Sequence, residues 1–83
     1  MRLPRSLSAD DLVKLLGPLG YRVSRQTGSH LRLTTDEGGQ HHVTVPRHDP
    51  LRVGTLSAIL GDVARHSGTT RDALLERLFG GGR

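Results

Sequence analysis

The sequence predicts an α+β fold, in which a three-stranded antiparallel sheet carries helices on one face in the order α-β-β-β-α, followed by a further C-terminal helix. Hydrophobic residues recur at helical spacing near the N-terminus and again in the C-terminal third. Between them, three short segments alternate polar and apolar residues and are separated by turns that contain glycine. The length of 83 residues suits a single domain, with an arm at 1–7, a body at 8–79 and a frayed tail at 80–83.

The first helix is predicted over residues 9–17. Ser8 is a suitable N-cap, and Asp10 and Asp11 follow in the first turn, where carboxylates oppose the positive end of the helix dipole. The leucines that come next have helical spacing, and Gly17–Pro18 should end the regular helix.

Three strands are predicted at residues 21–26, 29–35 and 40–46, connected by a short turn at Thr27–Gly28 and a longer one at residues 36–39. Alternation places every second side chain on the same face of the sheet. The face predicted to lie in the core collects Tyr21, Val23, Leu31, Leu33, Val43 and Val45. The face predicted to be exposed collects Arg22, Ser24, Gln26, His30, Arg32, Thr34, His42 and Thr44.

A loop at residues 47–53 leads to a second helix that begins near Gly54–Thr55 and stops at Gly68. Thr69 or Thr70 can cap the last helix. The apolar residues of these two helices that should face the sheet are Leu56, Ile59, Leu60, Val63, Leu74, Leu75 and Leu78.

Composition favours a nucleic-acid partner. The formal net charge is +4, and all but one of the 12 Lys and Arg residues are arginine, the side chain that binds phosphate through two parallel hydrogen bonds. Aromatic residues make up only 2% of the chain, which argues against a binder that stacks single-stranded bases on aromatic platforms. A modestly basic charge also occurs in small domains that bind no nucleic acid, so charge by itself does not decide the partner.

Several other classes of protein are disfavoured. The chain has no cysteine, which rules out disulfides, thiolate zinc sites and a cysteine nucleophile. No apolar run approaches the length needed to span a bilayer, and Met1–Arg5 lacks the apolar segment of a signal peptide. We therefore predict a cytoplasmic protein without a membrane partner.

His30 is the candidate for chemistry because it follows Gly28 and Ser29 at the start of a strand, where a phosphate could meet main-chain N–H groups and the ring together. An imidazole ordinarily titrates close to neutral pH and can exchange a proton with a ribose hydroxyl or a leaving oxygen. Ser29 and His30 are expected to diverge as consecutive strand residues, so no Ser–His pair is predicted. A lone strand histidine is also commonly structural. The arginines that can stabilise charge on the phosphate are Arg22, Arg25 and Arg32.

Metal binding is the competing use of the five histidines. His41 and His42 are adjacent in a strand and should point to opposite faces, which makes them poor joint ligands. His48 could join them only through the fold, and His66 near a helix C-terminus is explained as a partner of the helix dipole. We predict no metal site and no cofactor.

The order and spacing of several short motifs resemble the HicA family of bacterial toxins over residues 8–79. They include Gly28-Ser29-His30, the segment Val-Thr-Val-Pro-Arg-His at 43–48, and Gly-Thr-Leu-Ser-Ala-Ile-Leu at 54–60. Leu19-Gly20-Tyr21 before the first strand and the closing Thr-Thr-Arg-Asp-Ala-Leu-Leu helix also fit.

The resemblance implies a fold like the double-stranded-RNA-binding domain, cleavage of mRNA, and a HicB-type antitoxin that binds and masks the toxin. The catalytic histidine of the family matches His30. The Pro-Arg-His segment at 46–48 matches a recurrent family position at His48, which we take as a structural or supporting residue and not as a catalyst. The leading hypothesis is thus a metal-independent endoribonuclease. Its rivals are a non-catalytic RNA-binding module of the same fold and an element that docks an acidic protein. The residues predicted to contact RNA are Arg22, Arg25, Gly28, Ser29, Arg32, His42, Arg47 and His48.

Overall fold

The computed structural model of the protein describes residues 6–80 and has the predicted α+β architecture. Three antiparallel strands lie in the order β1-β2-β3, so β2 is central and β1 and β3 form the two edges. The elements are α1 at Ala9–Leu16, β1 at Arg22–Gln26, β2 at His30–Thr35, β3 at His41–Pro46, α2 at Val53–His66 and α3 at Arg71–Leu75.

The start of α1 is stabilised by a reciprocal pair of hydrogen bonds. The Asp11 backbone N–H donates to Ser8 Oγ, and the Ser8 backbone N–H donates to the Asp11 carboxylate, each over 3.1 Å. The bond from the Ser8 backbone lowers the pKa of Asp11 below its ordinary value, because it stabilises the charged carboxylate. The contribution of this pair to stability is therefore lost as the pH falls through that lowered pKa.

The connection from α1 to β1 requires a glycine. A short 3₁₀ turn at Gly17–Leu19 follows α1, and Gly20 then adopts a left-handed backbone with φ of 90°. A Cβ atom at Gly20 would lie 2.7 Å from Thr35 Oγ1 and from the Glu37 carboxylate. Both the backbone conformation and the lack of space therefore exclude a larger residue here.

The register between β1 and β2 contains an irregularity that sequence alternation does not predict. Val23 lies opposite Leu33, but Arg25 lies opposite Arg32, so Ser24 is the extra residue of a β-bulge. Directly opposed residues share a face, and the bulge thus brings Arg25 onto the face of Arg32. Gln26 pairs with Leu31 and lies on the helix-covered face, so its predicted place on the exposed face was wrong.

The sheet face that carries no helix is called the open face below. In register, it is formed by Arg22, Ser24, Arg25, His30, Arg32, Thr34, His42 and Thr44. His30 and Arg32 are exposed there, whereas Thr34 retains only 2% of its accessible surface because its neighbours cover it. The open face is therefore not uniformly solvated.

The opposite sheet face packs against the helices and forms the core. Val23 belongs to this face but is 41% exposed, so its predicted burial was wrong; β1 is an edge strand with a neighbouring strand on one side only. The fully buried large side chains include Leu12, Leu16, Leu33, Val45, Leu56, Leu60, Val63, Leu74 and Leu75.

The C-terminal part agrees with the predicted elements. Thr70 caps α3, with its Oγ1 accepting a hydrogen bond from the Ala73 backbone N–H over 3.1 Å, and one π-helical turn continues to Gly80. At the other end, Leu7 of the predicted arm already accepts a backbone hydrogen bond from Leu51. Residues 1–5 of that arm and 81–83 of the predicted tail lie outside the described residues. Within the described part, no helix has the length and hydrophobicity needed to cross a membrane.

Candidate functional site on the open face

The turn between β1 and β2 is closed by Thr27 and His30. The Thr27 backbone N–H donates to the His30 carbonyl over 2.9 Å, and the His30 backbone N–H donates to Thr27 Oγ1 over 3.0 Å. Ser29 N–H also reaches Thr27 Oγ1, over 3.4 Å. Two main-chain donors predicted to meet a phosphate are thus already bonded within the turn. Sequence reasoning missed Thr27, although a hydroxyl that bonds the backbone two residues on is a known turn device.

The end of β3 also contacts this turn through backbone hydrogen bonds. His30 pairs with Pro46, and the Arg47 backbone N–H donates to the Ser29 carbonyl over 2.9 Å. Arg47 therefore adjoins the turn and supports it through its main chain, while its side chain is exposed.

Ser29 orients the ring of His30. Its Oγ lies 2.9 Å from His30 Nδ1, within hydrogen-bond distance. The expectation that the two side chains diverge was wrong, because β2 begins at His30 and Ser29 lies in the turn, where strand alternation does not apply. With Nδ1 engaged, Nε2 is the ring nitrogen left without a hydrogen bond within residues 6–80.

His30 lines a shallow depression of about 210 Å³ on the open face. Two arginines, Arg25 and Arg32, line it as well, and the β-bulge at Ser24 is the reason that Arg25 can do so. Threonine hydroxyls from the turn and from β3 complete the lining, at Thr27 and Thr44. The depression thus combines one imidazole, two permanent cations and no carboxylate, a composition that suits a phosphodiester.

Arg22 and His42 lie at the other end of the open face. Both pair with Thr34, which is four residues from His30 along β2, a separation of roughly 13 Å at the usual rise per strand residue. Arg22 donates to the Thr34 carbonyl over 3.4 Å and forms an ion pair with Asp36 at 3.5 Å. These two predicted residues therefore do not join the depression around His30.

His48 belongs to a separate place on the surface. With Arg47 and the residues Ser8–Asp10 at the start of α1, it lines a smaller depression of about 150 Å³. The His48 carbonyl accepts a hydrogen bond from the Ala9 backbone N–H over 3.2 Å, which connects the loop after β3 to α1. The structure does not bring the His48 side chain into the depression lined by His30.

A second histidine cluster, unforeseen from the sequence, lies on the helix-covered side of the sheet. His41 Nδ1 is 2.7 Å from the Tyr21 hydroxyl, and His41 Nε2 is 3.3 Å from the Asp62 carboxylate of α2. The ring of His66 stacks on His41 with 4.4 Å between centroids, and its Nε2–H donates to the Glu37 carbonyl. His41 and His42 do point to opposite faces, as predicted. Among the described residues, no three His, Asp or Glu side chains are grouped to hold a metal ion.

Tyr21 should make stability fall at high pH. Burial, with a smaller effect from the charge of Asp62, raises the pKa of Tyr21 to about 12. Because the folded pKa exceeds the ordinary value of 10.0, folding favours the neutral phenol, and this contribution is complete below about pH 10 and lost as the pH rises through about 12. Urea denaturation at a series of pH values between about 9 and about 12 should show that loss.

The matched control is Tyr21→Phe, which keeps the ring and removes the titrating hydroxyl. Since Tyr21 is the only tyrosine of the chain, tyrosinate absorbance follows its ionisation directly. An equal alkaline loss of stability in Tyr21→Phe would show that other groups cause it.

The chain matches the model of a known protein family. The family model described as "HicA toxin of bacterial toxin-antitoxin" matches residues 9–68, which is more than half of the chain. The chain belongs to the HicA toxin family. No curated protein and no solved structure gives a match.

The HicA match runs from the first residue of α1 to the glycine after α2, so it includes the whole sheet and the open face. The α3 helix, at Arg71–Leu75, lies beyond the matched residues. Membership assigns the chain to the toxins of bacterial toxin–antitoxin systems and implies an antitoxin as partner.

Proposed function

We propose that this HicA-family chain is an endoribonuclease that cleaves mRNA in the cytoplasm without a metal cofactor, with His30 as its acid–base catalyst. One observation carries the proposal: an imidazole oriented through Nδ1 stands with Arg25 and Arg32 in one depression of the open face. Membership of the HicA toxin family supports it, and the resemblance of Gly28-Ser29-His30 to the family's motif implies that His30 is the catalytic histidine.

The chemistry follows from the groups in the depression. His30 Nε2 takes the proton of a ribose 2′-hydroxyl, and the 2′-oxygen forms a bond to the adjacent phosphorus. The bond from phosphorus to the 5′-oxygen breaks, and that oxygen receives the proton returned by His30. The products are a 2′,3′-cyclic phosphate and a free 5′-hydroxyl. Arg25 and Arg32 stabilise the added negative charge on the phosphoryl oxygens as it develops.

Ser29 and the backbone of Arg47 have positioning roles in this proposal. Ser29 Oγ holds Nδ1, so the imidazole presents Nε2 to the substrate, and the Arg47 N–H holds the Ser29 carbonyl. The remaining predicted contacts, Gly28, His42 and the side chains of Arg47 and His48, would guide the RNA on either side of the reacting phosphate.

The proposed partner protein is a HicB-type antitoxin that masks the toxin. Support comes from family membership together with the surface chemistry, since the open face bears exposed arginines, and Asp36, in the turn after β2, forms an ion pair with Arg22. An acidic or acid-presenting protein surface would complement that face and compete with RNA for it.

An RNA cleavage assay in excess EDTA tests the proposal. The purified chain is expected to cut a labelled RNA and to leave DNA of the same sequence intact, since DNA lacks the 2′-hydroxyl nucleophile. Arg25→Gln should lower kcat/KM by about 10- to 100-fold, as expected for the loss of a hydrogen bond from a charged group. Arg65→Gln is the matched control, because Arg65 lies on α2 beside Asp62 and away from the open face.

The outcomes separate the candidate functions. RNA binding that weakens with salt, with no cleavage under any condition, would replace the nuclease by the RNA-binding module of the same fold. Neither binding nor cleavage of RNA, with retained binding of an acidic partner, would favour the docking element. Equal effects of Arg25→Gln and Arg65→Gln would show that the depression lined by His30 is not the site of cleavage.

A further inference from the structure

A second set of hydrogen-bonded polar side chains, centred on Thr34, lies at the far end of the open face from His30. Thr34 is only 2% exposed although it faces away from the helices, and its hydroxyl contacts a side chain on each neighbouring strand. Thr34 Oγ1 is 2.6 Å from Ser24 Oγ on β1 and 2.7 Å from His42 Nδ1 on β3. Ser24 Oγ also donates to the Arg32 carbonyl over 3.3 Å. We refer to Ser24, Thr34 and His42 as the hydroxyl relay.

The direction of the hydroxyl relay follows from counting protons. A carbonyl oxygen can only accept, so the single hydroxyl proton of Ser24 is used on Arg32. Ser24 Oγ must then accept from the Thr34 hydroxyl, and Thr34 Oγ1 must accept from His42 Nδ1–H. All three hydrogen bonds exist together only in this direction.

The consequence is a fixed tautomer for His42. A neutral His42 carries its proton on Nδ1 and presents the lone pair of Nε2, the nitrogen that makes no hydrogen bond among the described residues. His42 itself is exposed. His42 Nε2 is therefore available as a hydrogen-bond acceptor to a molecule on the open face, while the buried Thr34 bonds Nδ1 of the same ring.

The surroundings of this acceptor favour a ribose. Phosphate oxygens accept hydrogen bonds and cannot donate to a neutral Nε2, whereas the 2′-hydroxyl can, and every ribonucleotide has one whatever its base. Charged groups beside the hydroxyl relay include Arg22, with its partner Asp36, and Arg32 on β2; Arg25 follows Ser24 and lines the depression at His30. The two guanidinium groups are suited to the phosphates that flank such a ribose.

We propose that His42 Nε2 accepts a hydrogen bond from the 2′-hydroxyl of a nucleotide that flanks the cleaved bond, so that this end of the open face distinguishes RNA from DNA. The inference rests on the proposed function only in placing RNA on the open face. His42 pairs with Thr34, which lies roughly 13 Å from His30 along β2. The ribose bound by His42 is therefore not the one that reacts at His30.

Binding of oligonucleotides with single 2′-deoxy substitutions tests the proposal without requiring cleavage. The His30→Ala chain serves as the uncut background, and the deoxy position is moved along the RNA one nucleotide at a time. One flanking position is expected to weaken binding by about 3- to 10-fold, the loss of a single neutral hydrogen bond. Adding His42→Ala should weaken binding of the all-RNA strand by the same factor and abolish the effect of that deoxy position.

Thr34→Val supplies a second variant, since it keeps the buried volume and removes the hydroxyl that bonds His42 Nδ1. It should reduce the effect of the same deoxy position without altering the others. His66→Gln is the control, because His66 stacks on His41 on the far side of the sheet and should retain the full deoxy effect.

The possible failures are distinguishable. If the wild-type chain fails to cleave RNA, the proposed function is wrong, yet the deoxy effect and its loss in His42→Ala would still support the subsite. A deoxy effect that persists in His42→Ala overturns the subsite, as does binding that is insensitive to every flanking deoxy position. Sensitivity to the base and not to the sugar would show that His42 contacts a base edge, which also overturns it.

Discussion

Replacing His30 with glutamine is expected to reduce RNA cleavage by about 10²- to 10⁴-fold while RNA binding stays close to the wild-type level. Glutamine keeps a polar side chain of similar reach but cannot exchange a proton near neutral pH. The depression retains both arginines that line it with His30, Arg25 and Arg32, so attraction for the phosphate persists. Single-turnover cleavage and equilibrium binding, measured on the same RNA, give the two quantities.

The matched control for that variant is His66→Gln. His66 uses Nε2–H to donate to the Glu37 carbonyl, and the glutamine amide can make the same kind of hydrogen bond. Its cleavage rate should equal that of the wild type. Full activity in His30→Gln would end the assignment of His30 as catalyst, and an equal loss in both variants would indicate a general effect on the fold.

Leu33→Ala is expected to lower the free energy of unfolding by about 2.7–5 kcal/mol, the range found for buried leucines that leave a cavity. Leu33 is fully buried on the central strand and pairs with Val23 on one side and Val43 on the other. A small domain has roughly 5–15 kcal/mol of stability in total, so the variant should lose a large fraction of it. Urea denaturation followed by circular dichroism measures the change.

Val23→Ala is the comparison for Leu33→Ala. Val23 lies on the same sheet face, directly opposite Leu33, but is 41% exposed on the edge strand. Its replacement should cost less than about 1.5 kcal/mol, since less apolar surface is removed from the core. If the two variants were equally destabilised, the central strand would not be the part of the sheet on which the core depends.

Local sequence patterns predicted the order of the helices and strands and the face of the sheet on which His30 lies. Leucines at helical spacing and three alternating segments predicted the helices and strands to within about two residues. Alternation from Leu31 and Leu33 placed His30 and Arg32 together on the side away from the core, and the pairing of β2 agrees. Motifs that resemble the HicA family gave the same family as the match to residues 9–68 and the fold that the structure has.

Predictions from the alternation of polar and apolar residues were wrong where the side-chain position depends on strand pairing or on a turn. The bulge at Ser24 moved Arg25 onto the open face and Gln26 off it, because a single unpaired residue reverses the side on which each later residue lies. Ser29 bonds His30 because the turn, and not the strand, sets its direction. His41 contacts Asp62 and His66, which lie 21 and 25 residues further along the chain on α2. No local pattern predicts how that helix packs on the sheet.

Sequence periodicity alone established the α+β class, the sheet with one polar face and the presence of His30 on it, because these depend on which residues are apolar at intervals of two or 3.6. Only the tertiary structure decided which arginines accompany His30, that Ser29 holds its Nδ1, and that Thr34 holds His42. Those relations depend on strand register and on hydrogen bonds between residues distant in the chain. Neither is encoded in the spacing of any one segment.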